Sequence, residues 1–250
     1  MTARFYAPDA EKTGDLVTLP DEEGEHLVRV LRLKAGAAVR VFNGRGHEFD
    51  ALVSKAGKSD VHVAIGHARE PAAIEARVAV TLAQSVLKGD KMDDVVRDAV
   101  MMGVTCVQPI VAARSEVTLT SLQRGRRQER WQRIAVSSAK QCGRATVPPI
   151  LEPCAFETVA AALAAITLPG PGLMFVEPSA SAGTVALSEL DAAAPRETTV
   201  IIGPEGGWTA EEIDHASASC RLISLGERTL RADAMAVVAL AALFAIWKEF

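Results

Sequence analysis

The spacing of apolar residues changes character once along the chain. Across residues 1–70, apolar and polar positions alternate in short runs, "LVTLP", "AVRVF", "HEFDALVSKA" and "DVHVAIG", separated by turn residues. A period of two between Gly, Asn and Asp clusters marks strands with one buried face. The Asn43-Gly44 dipeptide between two such runs predicts a hairpin, since both residues tolerate positive φ, and "GKSD" predicts a second turn. One stretch, "DEEGEHLVRVLRL", carries helical spacing instead. These elements predict a small β-barrel with one short helix over 1–70. "REPAAIEA" reads as a linker broken at Pro71, which leaves 71–75 between two domains.

From 76 to 250 the pattern becomes one of apolar strands alternating with amphipathic helices. "RVAVTLAQSV", "CVQPIVA", "GLMFVEP", "TTVIIGPEGG" and "CRLISLG" are the strands. "KMDDVVRDAVMMGV", "RRQERWQRIAVSSAKQCG", "TAEEIDHASAS" and "RADAMAVVALAALFAIWKEF" are the helices. Thr209 followed by Glu212 has the form of a capping box. Continuously apolar strands between helices predict a parallel sheet covered on both faces. The fold class is therefore α/β, a β-barrel domain followed by a parallel-sheet domain.

Composition narrows this picture without redirecting it. With 49% hydrophobic and 23% charged residues among 250, the chain has the make-up of a globular protein. Its longest apolar run, residues 234–247, is fourteen residues, short of the ~20 a bilayer span requires. The N-terminal "MTARFYAPDA" has no apolar signal core. The expectation is a protein without a membrane partner. Cys106, Cys142, Cys154 and Cys220 form no C-x-x-C pair and the histidines have no ligand spacing, so neither metal nor disulfides are expected and a reducing cytoplasm fits. Net charge is −4, yet residues 113–144 hold eight basic and two acidic residues, whereas 145–250 hold five basic and thirteen acidic. Such concentration is compatible with a phosphate-binding face on an otherwise acidic protein, or with a solvated arginine-rich helix.

Three strand ends carry the candidate chemistry: "FVEPSAS", "IIGPEGG" and "ISLGERTLRAD". In a parallel sheet, ligands bind at the carboxyl ends of strands, and Gly lets the main chain approach them closely. Neither G-x-G-x-x-G nor G-x-x-x-x-G-K-[ST] is present, which argues against dinucleotide and nucleoside-triphosphate chemistry. A small molecule with many hydrogen-bonding edges, such as a nucleoside, suits three such ends together.

"IIGPEGGWTAEEI" followed by "SLGERTLRADAMAVVALAAL" resembles the two C-terminal signatures of the SPOUT methyltransferases. More narrowly the chain resembles the ribosomal RNA small subunit methyltransferase E family, which methylates uracil N3 in 16S ribosomal RNA. "HLVRVLRLKAG", "VFNGRGHEFDA", "QSVLKGDKMDDVV", "ARSEV" and "RWQRIAVSSAKQCGRATVPPI" extend the likeness over nearly the whole chain. The resemblance implies a PUA-like barrel that binds RNA, a SPOUT domain at 76–250 with a C-terminal trefoil knot, S-adenosylmethionine as cofactor, and a homodimer. It also implies one uridine of the decoding region as target, in 16S rRNA or the 30S subunit.

Under that resemblance the cofactor is held by Phe175 and Glu177, by Gly203, Pro204, Glu205, Gly206 and Gly207, and by Leu225, Gly226 and Leu230. Arg231 is the candidate to stabilise charge developing on the uracil carbonyls, with Glu205 or Asp233 accepting the proton or orienting Arg231. Arg4, Arg29, Arg32, Arg45 and Arg114 are candidates for RNA phosphates, and the helix arginines at 126, 127, 130 and 133 for either RNA or the dimer partner. The family usually reads Leu-Arg-Thr-Glu-Thr-Ala where this chain has "LRADAM", so Asp233 stands in for Glu, and Ala232 and Ala234 lack hydroxyls. Two other activities compete. A SPOUT 2′-O-ribose methyltransferase would carry Asn-x-Gly-x-x-x-Arg, which "KGDKMDDVVRDAVMMGV" lacks. A non-catalytic RNA-binding assembly factor would not need an intact "GPEGG".

Overall fold

The computed structural model describes residues 2–57, 60–165, 167–168, 170–180, 183–190 and 192–249. Lys58 and Ser59 of the expected "GKSD" turn, and Ser181 of "FVEPSAS", lie outside them. Two compact units are present: Met1–Glu75 with Val136–Val147, and Ala76–Ala135 with Pro148–Phe250.

The first unit contains β1 (Arg4–Tyr6), β2 (Leu16–Thr18), α1 (Asp21–Glu25), β3 (Ala38–Phe42), β4 (Glu48–Ala56) and β5 (Val61–Arg69). The strands form one sheet in the order β1-β3-β4-β5-β2, antiparallel except for the β1–β3 pair. Register shifts between Phe49 and Ala51 and between Val53 and Lys55 bend β4, as bulges do. The sheet curls into a half-barrel where the sequence pattern predicts a small β-barrel, with β1 and β2 at its edges. Alternate residues of β4 and β5, among them Phe49, Ala51, Val53, Val61, Val63 and Ile65, fill one core with Phe5, Val17 and Leu27.

The hairpin at Asn43-Gly44 exists, but its loop is residues 43–47 rather than a two-residue turn. Gly44 and Gly46 take positive φ, and the Asn43 carboxamide oxygen accepts from the N–H groups of Arg45 and His47. The expected helix at 21–33 is also shorter than its pattern: α1 gives way to a π-helical turn at His26–Val30, and Arg32 then sits at φ 53.

The second unit contains β6 (Ala79–Ser85), α2 (Lys91–Met102), β7 (Cys106–Val111), α3 (Leu119–Arg124), β8 (Cys154–Ala155), α5 (Phe156–Ala164), β9 (Gly172–Phe175), β10 (Val185–Ala186), β11 (Glu197–Ile202), α6 (Ala210–Ser217), β12 (Cys220–Ser224) and α7 (Ala232–Ile246). Between α3 and β8 runs α4 (Arg127–Cys142), whose C-terminal half belongs to the first unit. The sheet runs β10-β12-β9-β11-β6-β7-β8, and every pair in it is parallel, as the continuously apolar strands predict. Residues 198–202 of β11 are all buried. The capping box forms as read: Thr209 Oγ1 accepts from Glu212 N–H, and the Glu212 carboxylate accepts from Thr209 N–H. The apolar helix α7 packs against α2, and no helix of the described residues is long and apolar enough to cross a membrane.

Candidate functional site

The strands β12, β9 and β11 are consecutive neighbours and all parallel. Their carboxyl ends therefore reach one edge of the sheet, and the three decorated loops meet there. Between them lies a cavity of about 300 Å³, at the small end of the range for small-molecule pockets.

The β11 loop builds its floor. Pro204 to Gly207 close a turn through a 3.0 Å bond from Gly207 N–H to the Pro204 carbonyl, with Gly207 at φ 68. A β-carbon on Gly207 would lie 2.6 Å from Glu177 Oε1, so the β11 loop and the β9 end are in close contact. Gly203 is required by space: a β-carbon there would sit 2.9 Å from the Trp208 ring. That ring is fixed, because Trp208 Nε1 donates to the Phe175 carbonyl at 2.9 Å and the indole packs on Phe156 with centroids 5.0 Å apart. One aromatic side chain thus ties β9 to the loop after β11.

Two cation–carboxylate pairs line the cavity. Lys91, at the start of α2, places its Nζ 2.8 Å from Glu205 Oε1, which also accepts from Lys88 N–H at 3.3 Å. Arg231 donates from Nε and Nη2 to the two oxygens of Asp233, at 3.1 and 3.0 Å. Burial works against ionisation of Glu205. The bonds from Lys91 and from the main-chain N–H groups of Glu205 and Lys88 outweigh it and hold the carboxyl below its ordinary range. The Arg231 bond is the main cause holding Asp233 low, helped against partial desolvation by its own N–H and by the charges of Arg231 and Lys91.

A carboxyl with a lowered folded pKa contributes stability above its unfolded pKa and loses it as pH falls through the folded value. The stability difference between wild type and Glu205→Gln should therefore be flat from about pH 6 to 8 and shrink only below about pH 4.3, the ordinary Glu value. Urea unfolding at each pH measures it; a difference that vanished near neutrality would mean a raised carboxyl, contrary to these contacts.

Of the residues singled out in sequence, Phe175, Glu177, Gly203, Pro204, Glu205, Gly207, Leu230, Arg231 and Asp233 all line the cavity. Gly206 turns the other way: a β-carbon on it would meet Arg114 at 2.8 Å, and Arg114 Nη1 donates to its carbonyl. Leu225 and Gly226 lie outside the lining; Gly226, at φ 88, shapes the turn out of β12. Lys91, Trp208 and Met235 line the cavity although sequence reasoning did not single them out. Trp208 directly follows "GPEGG" and was within reach of the motif; Lys91 comes from another strand–helix unit and leaves no local signal.

The arginines assigned to RNA differ sharply. Arg4 spends its guanidinium inside the first unit. It pairs with the buried Glu48, donates to the carbonyls of Ala139, Lys140, Gly143 and Arg144, and lies 3.9 Å from the centroid of the Phe42 ring. An arginine has five N–H donors. These bonds occupy them on carbonyls at and just beyond the C-terminal end of α4, so Arg4 is corrected from a phosphate ligand to a tie between β1 and that helix end. Arg29 and Arg45 are exposed, each paired with an exposed carboxylate, Glu25 and Glu11. Arg32 is exposed. Arg130 bonds Asp90 and Asp93 at the start of α2. Among the described residues no cluster of His, Cys, Asp or Glu is arranged to hold a metal ion.

Comparison with known proteins gives this arrangement a class. Residues 75–244 match the family model described as an RNA methyltransferase domain, and residues 19–66 that of an RNA methyltransferase PUA domain. Ribosomal RNA small subunit methyltransferase E of Synechocystis sp. is 30% identical over 92% of this chain and 73% of its own length. The crystal structure of the Neisseria gonorrhoeae protein of that name, bound to S-adenosyl methionine, is 31% identical, covers 99% of this chain and 98% of its own, and superposes with a TM-score of 0.85. A Legionella pneumophila protein solved with the bound cofactor SAM is 30% identical, with 98% coverage of both chains and a TM-score of 0.87. The chain belongs to the ribosomal RNA small subunit methyltransferase E family.

Proposed function

We propose that this protein methylates N3 of one uridine in the decoding region of 16S rRNA, using S-adenosylmethionine, in the cytoplasm and on the 30S subunit. The observation that carries the reading is the convergence of three glycine- and proline-bearing strand ends on one cavity. The cavity suits the cofactor chemically. Main-chain groups of the β11 loop can meet the hydrogen-bonding edges of an adenosine, Phe175, Ile202, Leu230 and Met235 offer apolar contact, and Glu177, Glu205 and Asp233 are carboxylates facing a cationic ligand.

When bound, S-adenosylmethionine supplies an electrophilic methyl group. The protein's own task is to make a uracil imide nucleophilic. That imide is far less acidic than a carboxylic acid, and Glu205 and Asp233 are both held low, so neither matches the task of a strong base. The cations carry the step instead: Arg231, oriented by Asp233 through two parallel bonds, and Lys91 stabilise the negative charge that spreads to the uracil carbonyl oxygens as the N3 proton leaves toward solvent. The target base must be flipped from its stack to reach such a cavity. The half-barrel unit binds the surrounding RNA, with Arg29, Arg32 and Arg45 on phosphates, and Arg114 contacts RNA from the other unit.

The reading extends to a homodimer and to a trefoil knot through which α7 passes. A stripe of Ala234, Val238 and Ala245 on α7 is apolar and exposed, which fits burial against a second copy.

The test is methylation of 30S subunits from a strain lacking this gene, with nucleoside mass spectrometry of the 16S rRNA. N3-methyluridine at one position is the expected product. A 2′-O-methyl product would assign the protein to the ribose methyltransferases, and no transfer together with no cofactor binding by calorimetry would make it a non-catalytic RNA-binding factor.

A further inference from the structure

A second cavity of about 290 Å³ adjoins the first, and the two share a wall, since Glu177 and Trp208 line both. Its floor is apolar, formed by Ala180, Ala210 and Ile213 with the Trp208 indole. Its rim carries both signs of charge: Arg114 with the carboxylates of Glu177 and Asp214. The wall does not yield easily, because Trp208 is pinned through Nε1 to the Phe175 carbonyl, and Arg114 is steadied by its bond to the Gly206 carbonyl.

The lining selects a ligand class. A phosphate would face two carboxylates, and a cationic side chain would face Arg114 over an apolar floor. A flat neutral group with donors and acceptors on its edge satisfies every side. A nucleobase with an exocyclic amino group is such a group: the carboxylates accept its N–H, the guanidinium donates to a ring nitrogen or carbonyl, and the floor takes its faces. The volume is ample for one base.

We infer that this cavity holds a nucleobase immediately flanking the target uridine, so that RNA is registered beside the cofactor by base recognition as well as by phosphates. The inference rests on the proposed RNA methylation and adds to it a specificity site of which Arg114, Glu177 and Asp214 are the reading edge.

The test uses 30S subunits carrying each of the four bases at either position flanking the target, methylated by wild type, Ala210→Trp and Asp214→Asn. Ala210 is exposed at the start of α6, so Trp there fills the cavity from solvent. Wild type should prefer one base at one flanking position by about tenfold in kcat/KM, the scale of a good base contact. Both variants should erase that preference, while the dissociation constant for S-adenosylmethionine stays unchanged. The inference is overturned if wild type is indifferent at both positions, if the variants keep the preference, or if either variant weakens the cofactor, which would make the cavity part of the cofactor site. Absence of methylation by wild type on every particle would instead sink the proposed function, and this site with it.

Discussion

Arg231→Ala is expected to lower kcat for RNA methylation by about 10²–10³-fold, the cost of removing one preorganised stabiliser of developing charge. The side chain is 75% exposed, and substitutions at such positions usually change stability by no more than about 0.5 kcal/mol. Cofactor affinity should also hold, because the β11 turn and the apolar side chains of Phe175, Ile202, Leu230 and Met235 that line the cavity stay in place. The pattern to look for is therefore a fall in kcat with little change in KM or in the S-adenosylmethionine dissociation constant, the signature of an interaction made only in the transition state. Arg231→Lys separates charge from geometry: an ammonium cannot reproduce the two-nitrogen contact with Asp233, so only part of the rate should return. An unchanged kcat in Arg231→Ala would remove the residue from the chemistry and leave Lys91 as the cation in the cavity.

Why the site was largely readable in sequence is a matter of locality. "GPEGG" is a turn whose chemistry lies within its own five residues, and the Pro204–Gly207 turn with Gly207 at positive φ follows from residue type. Parallel pairing followed from continuous apolar runs, and it guarantees that strand ends share an edge. What no local pattern held was the origin of tertiary partners. Lys91 reaches Glu205 from more than a hundred residues away in the chain. The attachment of Val136–Val147 to the first unit depends on Arg4, on the Lys140–Glu23 pair and on the pair of buried Arg144 with half-buried Glu75, each between residues distant in sequence. Arg4 also shows how a basic residue near an RNA-binding pattern misleads: charge was legible, but the helix end waiting for it was not. The short elements β8 and β10 are two residues each, too brief for any periodicity to register.

Gly203→Val should weaken cofactor binding by about a hundredfold, and the reason is steric rather than chemical. A β-carbon at 203 would sit 2.9 Å from Trp208 Cε2 and 3.0 Å from its Nε1, and the valine methyls add bulk at the same wall. Relief requires the indole to move, which breaks the 2.9 Å bond to the Phe175 carbonyl and loosens the loop from β9. Overpacking costs about 1–3 kcal/mol and a buried group left without its partner costs about 1–3 kcal/mol. The two together cost about 2–6 kcal/mol, and about 2.8 kcal/mol of that falling on the bound state is about a hundredfold in affinity. Calorimetric titration with S-adenosylmethionine reads that loss directly, and circular dichroism checks that the fold persists. Because the clash is with one ring, a smaller ring should ease it: Gly203→Ala with Trp208→Phe should bind better than Gly203→Ala alone, a non-additive outcome that a general loss of stability would not produce. Cofactor binding by Gly203→Val at wild-type strength would show that the wall between β9 and β11 moves freely, and the cavity would lose its claim to be preformed.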